Sequence, residues 1–408
     1  MSSAARPTRH REVFVDAARS VTELVRTDAD IAEQQGGLTA RVDQALRESG
    51  LYWMMLPLEL GGGGADLHQA IDVIESLSAD DGATGWAFMA NAATTGFAGA
   101  YISDTAAEQM FGGETLGLTA GMLAPAGRAS LVPGGIRGGG RYSFASGCSQ
   151  ADWIGAGMLI MNGKAPVLRA DGTPVTRICY LRLDDVEVVD NWNVSGLIAT
   201  GSHDYVITDR TISDDFTVDG ALVSSVAPLR GGDMYRIGLI GFITLSHSAF
   251  ALGVMRRAIE EIAEIASTKK RLGYPTTVAN NDMFRSEFSS HESSYWAAHA
   301  LCHQVFDDLQ TTAVAGHGPD GTQVARLRAT TTWVTQTAMN VVQFAHLWAG
   351  SAAIRNPSAL GRCTRDLLVG SQHMMVDPVT MAQFAPPLIS SWRGAVTRQA
   401  TRRANVPR

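Results

Sequence analysis

The chain has 408 residues, 45% of them apolar and 18% charged, with a net charge of −7. That apolar share excludes a mainly disordered protein, and an acidic balance without a basic stripe excludes ordinary nucleic-acid binding. The length supports more than one packed unit. Arginine outnumbers lysine 30 to 3, and two of the lysines, Lys269 and Lys270, stand together in front of Arg271.

Residues 12 to about 115 read as mostly helical. Phe14, Ala17, Ala18, Val21, Leu24 and Val25 recur at helical spacing, as do Leu67, Ala70, Ile71, Ile74 and Leu77 behind a predicted Asp66 cap. Between them, Gly50 to Pro57, Glu59, Leu60 and four glycines form a helix stop, an apolar passage and a turn. Gly82 to Ser103 carries no charge, but Gly, Thr, Asn and Ser dilute it below a membrane span.

Residues from about 116 to 225 read as strands. The runs Arg141–Ala145, Trp153–Met161, Arg177–Leu183, Val186–Val189 and Tyr205–Ile212 are rich in β-branched and aromatic residues. Turn residues punctuate them, which predicts a barrel or sandwich.

From about 230 to 390 the helical pattern returns. Helices are expected near Met234–Thr268, Asn281–Val314, Thr322–Ala349 and Ala359–Met374, with a loop from Gly316 to Gly321; four such helices make a bundle. Ile237 to Met255 is 19 residues without a formal charge. Its Thr244, Ser246, His247 and Ser248, and the amphipathic stretch that follows, predict a buried bundle helix rather than a membrane span. The divisions are therefore 1–115 helical, 116–228 β, 229–392 bundle, and a basic, solvated tail over 393–408.

No P-loop and no GxSxG elbow occurs, and Gly134 to Gly140 opens a strand, so it is no dinucleotide fingerprint. Cys148, Cys179, Cys302 and Cys363 lie far apart, which suggests neither zinc nor disulfides and fits a reducing cytoplasm. No apolar segment of an export signal follows the first arginines. His299 and His303 are four apart on a predicted helix; a polar helix face is the default reading and a shared metal the other, so no metal is expected. Tyr142 to Ser149 sits at a strand end, where small residues would let a flat ligand approach backbone amides, or would simply form a tight turn. Arg362 to Asp366 followed by His373 offers a candidate general base, or a structural histidine.

In order, these pieces resemble the acyl-CoA dehydrogenase superfamily over residues 12 to about 390. The matching segments are Gly50-Leu51 to Pro57 and Gly61-Gly62, Asp81 to Trp86, Ala124 to Gly127, Phe144 to Gly147, and Gly196-Leu197 to Thr200-Gly201-Ser202-His203-Asp204. The resemblance implies an α+β fold: an N-terminal helical domain, a central β-barrel or sandwich domain and a C-terminal four-helix bundle.

Within it the chain looks most like the flavin-dependent monooxygenase branch. That branch includes the oxygenase components of 4-hydroxyphenylacetate hydroxylase, secosteroid hydroxylase and dibenzothiophene monooxygenase. Trp192 before Gly196 to Ser202, and Arg365-Asp366 before His373, carry this likeness. Dehydrogenases of the superfamily use a Glu base, and no Glu occurs after Glu292.

The resemblance implies reduced flavin, FMN or FAD, delivered by a separate flavin reductase. Its reaction with O2 would give a flavin C4a-hydroperoxide that oxygenates a small aromatic or apolar substrate. By the same likeness, Ser146 and His373 are catalytic. Phe144, Ala145, Ser146, Gly147, Trp192, Thr200, Ser202, Arg271, Gly350 and Arg355 bind the cofactor, with Arg271 at the flavin phosphate, across a subunit boundary. A cytoplasmic homotetramer is expected, with neither nucleic acid nor membrane as partner. The alternative is an FAD-dependent acyl-CoA dehydrogenase-type enzyme. Two departures stand out. Phenol-hydroxylating relatives carry a His about two turns after Gly-Trp, where this chain reads Phe88 to Thr95 without one. Dehydrogenases have Thr-Glu-Pro where Leu123-Ala124-Pro125 stands.

Overall fold

A capping box opens the helix that the sequence places after Asp66. Asp66 accepts from the Gln69 N–H at 2.8 Å, and the Asp66 N–H donates back to Gln69 Oε1 at 2.8 Å. The computed structural model describes residues 7–222 and 226–393, so all but the first residue of the basic tail lies outside the described residues.

Five helices come first: α1 (Pro7–Gln35), α2 (Ala40–Glu48), α3 (Leu67–Asp80), α4 (Gly82–Tyr101) and α5 (Asp104–Phe111). The uncharged α4 is buried on nearly every side, packed by α3 and by elements from both later regions. Its lack of charge is a core composition.

One eight-stranded sheet follows: β1 (Thr119–Val132), β2 (Gly135–Ala145), β3 (Trp153–Asn162), β4 (Ala165–Pro166), β5 (Thr176–Arg182), β6 (Glu187–Val189), β7 (His203–Ser213) and β8 (Thr217–Asp219). The order is β6-β7-β2-β1-β3-β5-β8, with β4 beside β3; β1 and β3 are parallel and every other pair is antiparallel. The sequence runs missed β1. Its Ala-Gly-Pro composition hides it, and the register with β3 shifts between Met122 and Gly127, around Pro125.

The last region holds α6 (Gly238–Thr268), α7 (Asp282–Val314), α8 (Gly321–Ala349), α9 (Ser351–Ile354), α10 (Ala359–Gly370) and α11 (Val379–Gln383). The apolar stretch of α6 is enclosed by α3, α4 and α8. The fourth bundle helix stops at Gly370 rather than Met374, where Ser371 donates its N–H to Leu367 O at 2.8 Å. The His299–His303 pair of α7 faces an i, i+4 pair of α3. His303 Nε2 lies 3.4 Å from Asp72, the Nδ1 atoms of His68 and His303 are 2.9 Å apart, and His299 lies 3.5 Å from Glu75. This polar network ties the first helices to the bundle.

A second tie joins the sheet to the bundle. Gly196 passes against α10 so closely that a Cβ there would lie 2.1 Å from Arg365 O. The next residue, Leu197, donates its N–H to Asp366 Oδ1 at 2.6 Å. Arg362 reaches Asp30 and lies 3.5 Å from Asp81, and Arg365 pairs with Glu33.

Burial pushes the Asp366 carboxyl up to about 8, with the Asp81 charge adding to the rise and the Leu197 N–H opposing it. Asp81 is raised by burial as well. Asp366 Oδ2 is buried without a hydrogen-bond partner, so nothing there replaces the water that a charged carboxylate would need, and the carboxyl keeps its proton.

A folded-state carboxyl pKa above the unfolded value means that the folded state holds the extra proton. This stabilisation is present at low pH and is lost as pH rises from about 4 to about 8. Asp366→Asn keeps an acceptor for Leu197 but cannot ionise. Urea unfolding at about pH 5 and about pH 8 should show a smaller decline in the variant than in the wild type; identical declines would discard the retained proton.

Candidate active site

The site begins with a bulge. β2 and β7 pair Tyr142 with Tyr205 and then Ala145 with His203, so β2 has one residue more across the step. Phe144 absorbs it at φ 67° and is left 60% exposed. The alternation is thereby reset, and Ala145 and Ser146 are both buried. Gly147 follows at φ 70°, donating its N–H to Thr200 O at 3.0 Å. Its carbonyl accepts from Asn91 Nδ2 at 3.2 Å, and a Cβ at Gly147 would lie 2.2 Å from Asn91 Oδ1.

Three buried hydroxyls line up behind this turn. Trp86 Nε1 donates to Ser146 Oγ at 3.0 Å, Ser146 Oγ is 2.7 Å from Ser202 Oγ, and Ser202 Oγ is 2.6 Å from Thr200 Oγ1. Thr200 donates to Leu197 O at 2.7 Å. Each hydroxyl has one proton, so the direction is forced. Thr200 gives its proton to Leu197, Ser202 gives to Thr200, and Ser146 gives to Ser202. Ser146 then accepts from Trp86 and keeps one lone pair for an outside donor. Leu197 O also accepts from Trp192 Nε1 at 3.1 Å, which sets the Trp192 ring edge-on to Phe144, centroids 6.2 Å apart. Phe144 and Leu197 (φ 53°) are the described non-glycine residues at positive φ. Both sit here, as strained backbone often does at functional sites.

The other face of Trp86 meets the bundle. Its ring stands edge-on to Phe250 (4.8 Å), His247 (5.0 Å) and His373 (6.1 Å), and the two imidazole centroids are 4.1 Å apart. His373 Nδ1 accepts from the Met375 N–H at 3.2 Å, so the neutral ring carries its proton on Nε2. Burial, then the Arg328 charge, lowers His373 to about 4. Burial, His373 and Arg328 hold His247 well below its ordinary value. Both imidazoles are neutral at pH 7. Burial beside a cation thus weakens His373 as the candidate general base.

Comparison with known proteins matches residues 8–110 to the acyl-CoA dehydrogenase N-terminal domain and residues 245–378 to the C-terminal domain, together more than half of the chain. The chain belongs to the acyl-CoA dehydrogenase superfamily. It is 26% identical over 373 residues to the indole-3-acetate monooxygenase of Pseudomonas putida, covering 90% of each chain. It is 28% identical over 354 residues to the flavin-dependent monooxygenase oxygenase subunit HsaA of Rhodococcus jostii, covering 82% of this chain and 87% of that one. The fold matches XiaF from Streptomyces, solved with FADH2 and glycerol, at a TM-score of 0.83 and 21% identity, covering 93% and 96%. The two sequence relatives place it on the flavin-dependent monooxygenase branch, as a flavin-dependent oxidoreductase.

Of the residues assigned by resemblance to this superfamily, Phe144, Ala145, Ser146, Gly147, Trp192, Thr200, Ser202 and His373 gather around Trp86 or its hydroxyl chain. Arg271 and Gly350 do not. Arg271 donates to Leu347 O (2.7 Å) and Trp348 O (3.0 Å) and lies over the Trp348 ring at 4.6 Å. Lys269 Nζ donates to Ala349 O at 2.6 Å, 3.8 Å from where a Gly350 Cβ would be. These cations satisfy the C-terminal carbonyls of α8. Arg328, at the His373 end of α8, is about 28 Å away along the helix at 1.5 Å per residue. Arg355 is exposed past α9. Sequence reasoning missed Trp86 as the centre, His247, Asn91 and Arg328. His247 was visible as a polar interruption of an uncharged run; Arg328 had no signal.

Gly147→Ala forces a Cβ into Asn91 at a left-handed φ, and urea unfolding should show a loss of about 1–3 kcal/mol. Imidazole NMR should find His373 as the neutral Nε2–H tautomer from pH 8 to about 5; a protonated ring at about pH 6 would contradict the burial argument.

Proposed function

We propose that this protein is the oxygenase component of a two-component system, taking reduced FMN or FAD from a separate reductase and oxygenating a small aromatic or apolar compound. The observation that carries the proposal is the directed hydroxyl chain ending at Ser146. Reduced flavin bears an N5–H donor that oxidised flavin lacks, and the spare lone pair of Ser146 suits that donor. Phe144 and Trp192 offer apolar rings to a flat cofactor, so the residues present fit a flavin. When bound, the reduced cofactor supplies the electrons that let one atom of O2 enter the substrate and the other leave as water.

The chain's own part is to hold and to shield. Trp86 fixes the Ser146 hydroxyl, while Trp86, Phe250 and the two neutral imidazoles keep the bundle side of the pocket dry. With Nδ1 occupied by Met375, His373 offers Nε2–H as a donor to the oxygen being transferred. A pKa of about 4 makes it a poor base at pH 7. The dehydrogenase alternative needs a carboxylate base in the pocket. The groups around Trp86 are instead hydroxyl, imidazole and phenyl. Arg271 and Gly350 meet a flavin phosphate only if another copy brings it to their end of the bundle. That supports an assembly of several copies, a homotetramer in our reading, with Arg355 exposed beside them; the four buried free cysteines suit a reducing cytoplasm.

Oxygenation should be tested with a general flavin reductase, NADH and candidate aromatic substrates. Ser146→Ala and His373→Ala should each lower product per NADH at least about tenfold, with hydrogen peroxide rising in proportion. If the purified protein instead reduces an artificial electron acceptor with substrate alone, the proposal fails.

A further inference from the structure

Arg328 is a buried cation with no carboxylate among its contacts in the described residues. It is 6% exposed on α8, among the most buried charges described. Its NH1 donates to Met375 Sδ, and its NH2 donates to Met374 O at 3.3 Å and Thr380 Oγ1 at 3.1 Å. Its guanidinium lies 5.4 Å from the centre of the Phe384 ring, and its Nε has no partner. Each of these contacts is neutral, and none is a carboxylate. Arg362, the other buried arginine described, behaves differently and pairs with Asp30 and Asp81.

Its position is also particular. Two of its acceptors, Met374 and Met375, are the residues immediately after His373. One turn along α8, Thr331 Oγ1 accepts from Ser248, the neighbour of His247, at 3.0 Å. The guanidinium is thus held by the two residues that follow His373, and its charge reaches both imidazoles. Burial lowers its own pKa, and no acidic neighbour opposes the shift.

Removing a guanidinium from water without an opposite charge is strongly unfavourable, and a planar fork with an unused N–H suits a carboxylate. We propose that Arg328 recognises the substrate, and that the substrate is an aromatic compound carrying a carboxylate. The inference rests on the oxygenase reading of this pocket. The aromatic ring lies against Trp86 and the imidazoles, and the carboxylate completes the guanidinium. Both imidazoles remain neutral, which leaves the substrate as the one anion in the pocket.

The test uses flavin-free full-length protein, tryptophan fluorescence, and three acid–amide pairs: benzoate, phenylacetate and 1-naphthylacetate, each against its isosteric amide. At least one acid should bind roughly ten- to hundredfold tighter than its amide. Arg328→Met should erase the difference, and Arg328→Lys should restore part of it. Equal affinity within every pair, including undetectable binding of both members, overturns the proposal. So does a preference that survives in Arg328→Met. If Arg328→Met does not fold, the wild-type pairs and Arg328→Lys still decide: the Lys variant must keep a reduced preference for the acid. Binding needs neither flavin nor oxygen. An acid preference without oxygenation therefore refutes only the oxygenase reading, and oxygenation of acid and amide alike refutes only the role of Arg328.

Discussion

Leu197 is the peptide unit on which the site depends. Its N–H is held by the buried Asp366 carboxyl of α10, and its carbonyl accepts from both Trp192 and Thr200. The unit sits at a left-handed φ that a leucine adopts only when its surroundings compel it. Through the carbonyl, the direction of the hydroxyl chain is fixed as far as Ser146. Through the N–H, the loop is tied to the same helical segment that leads to His373. One residue therefore couples the sheet side of the pocket to the bundle side. Gly196 makes the approach possible, because any side chain there would meet the Arg365 carbonyl.

The electrostatics of the pocket follow from burial rather than from residue type. Two imidazoles in contact, backed by a guanidinium, stay neutral because a second positive charge in that space is too unfavourable. A neutral His373 is a hydrogen-bond donor of fixed tautomer, which is better suited to steering an oxygen atom than to removing a proton. At the opposite side of α10 the sign reverses, and two crowded carboxyls retain a proton near a shared arginine. Each cluster works because its members cannot all be charged together.

Much of the architecture was legible in the chain. Helical spacing, the Asp66 cap and the polar breaks in the uncharged α6 run identify helices and a bundle, because those signals are local and periodic. Strand β1 was hidden, since alanine, glycine and proline carry no β signature and its pairing with β3 is non-local. The Phe144 to Gly147 turn, Trp192, Thr200, Ser202 and His373 were legible only through resemblance. The cluster of Lys269, Lys270 and Arg271 stood out in composition, yet Lys269 and Arg271 cap α8, a helix that begins some fifty residues later in the chain.

The sequence by itself determined the order of helices, sheet and bundle, the buried character of α6, and the family likeness of the site. The first two rest on composition and periodicity, and the likeness on matching motifs; all of these survive without knowledge of contacts. Only the tertiary structure decided that Trp86 joins Ser146 to two histidines, that His373 is neutral, and that Arg328 meets no carboxylate among the described residues. A pKa and an unmet charge are properties of an environment. That environment is assembled here from α4, β2, α6, α8 and the segment after α10, whose residues lie hundreds of positions apart.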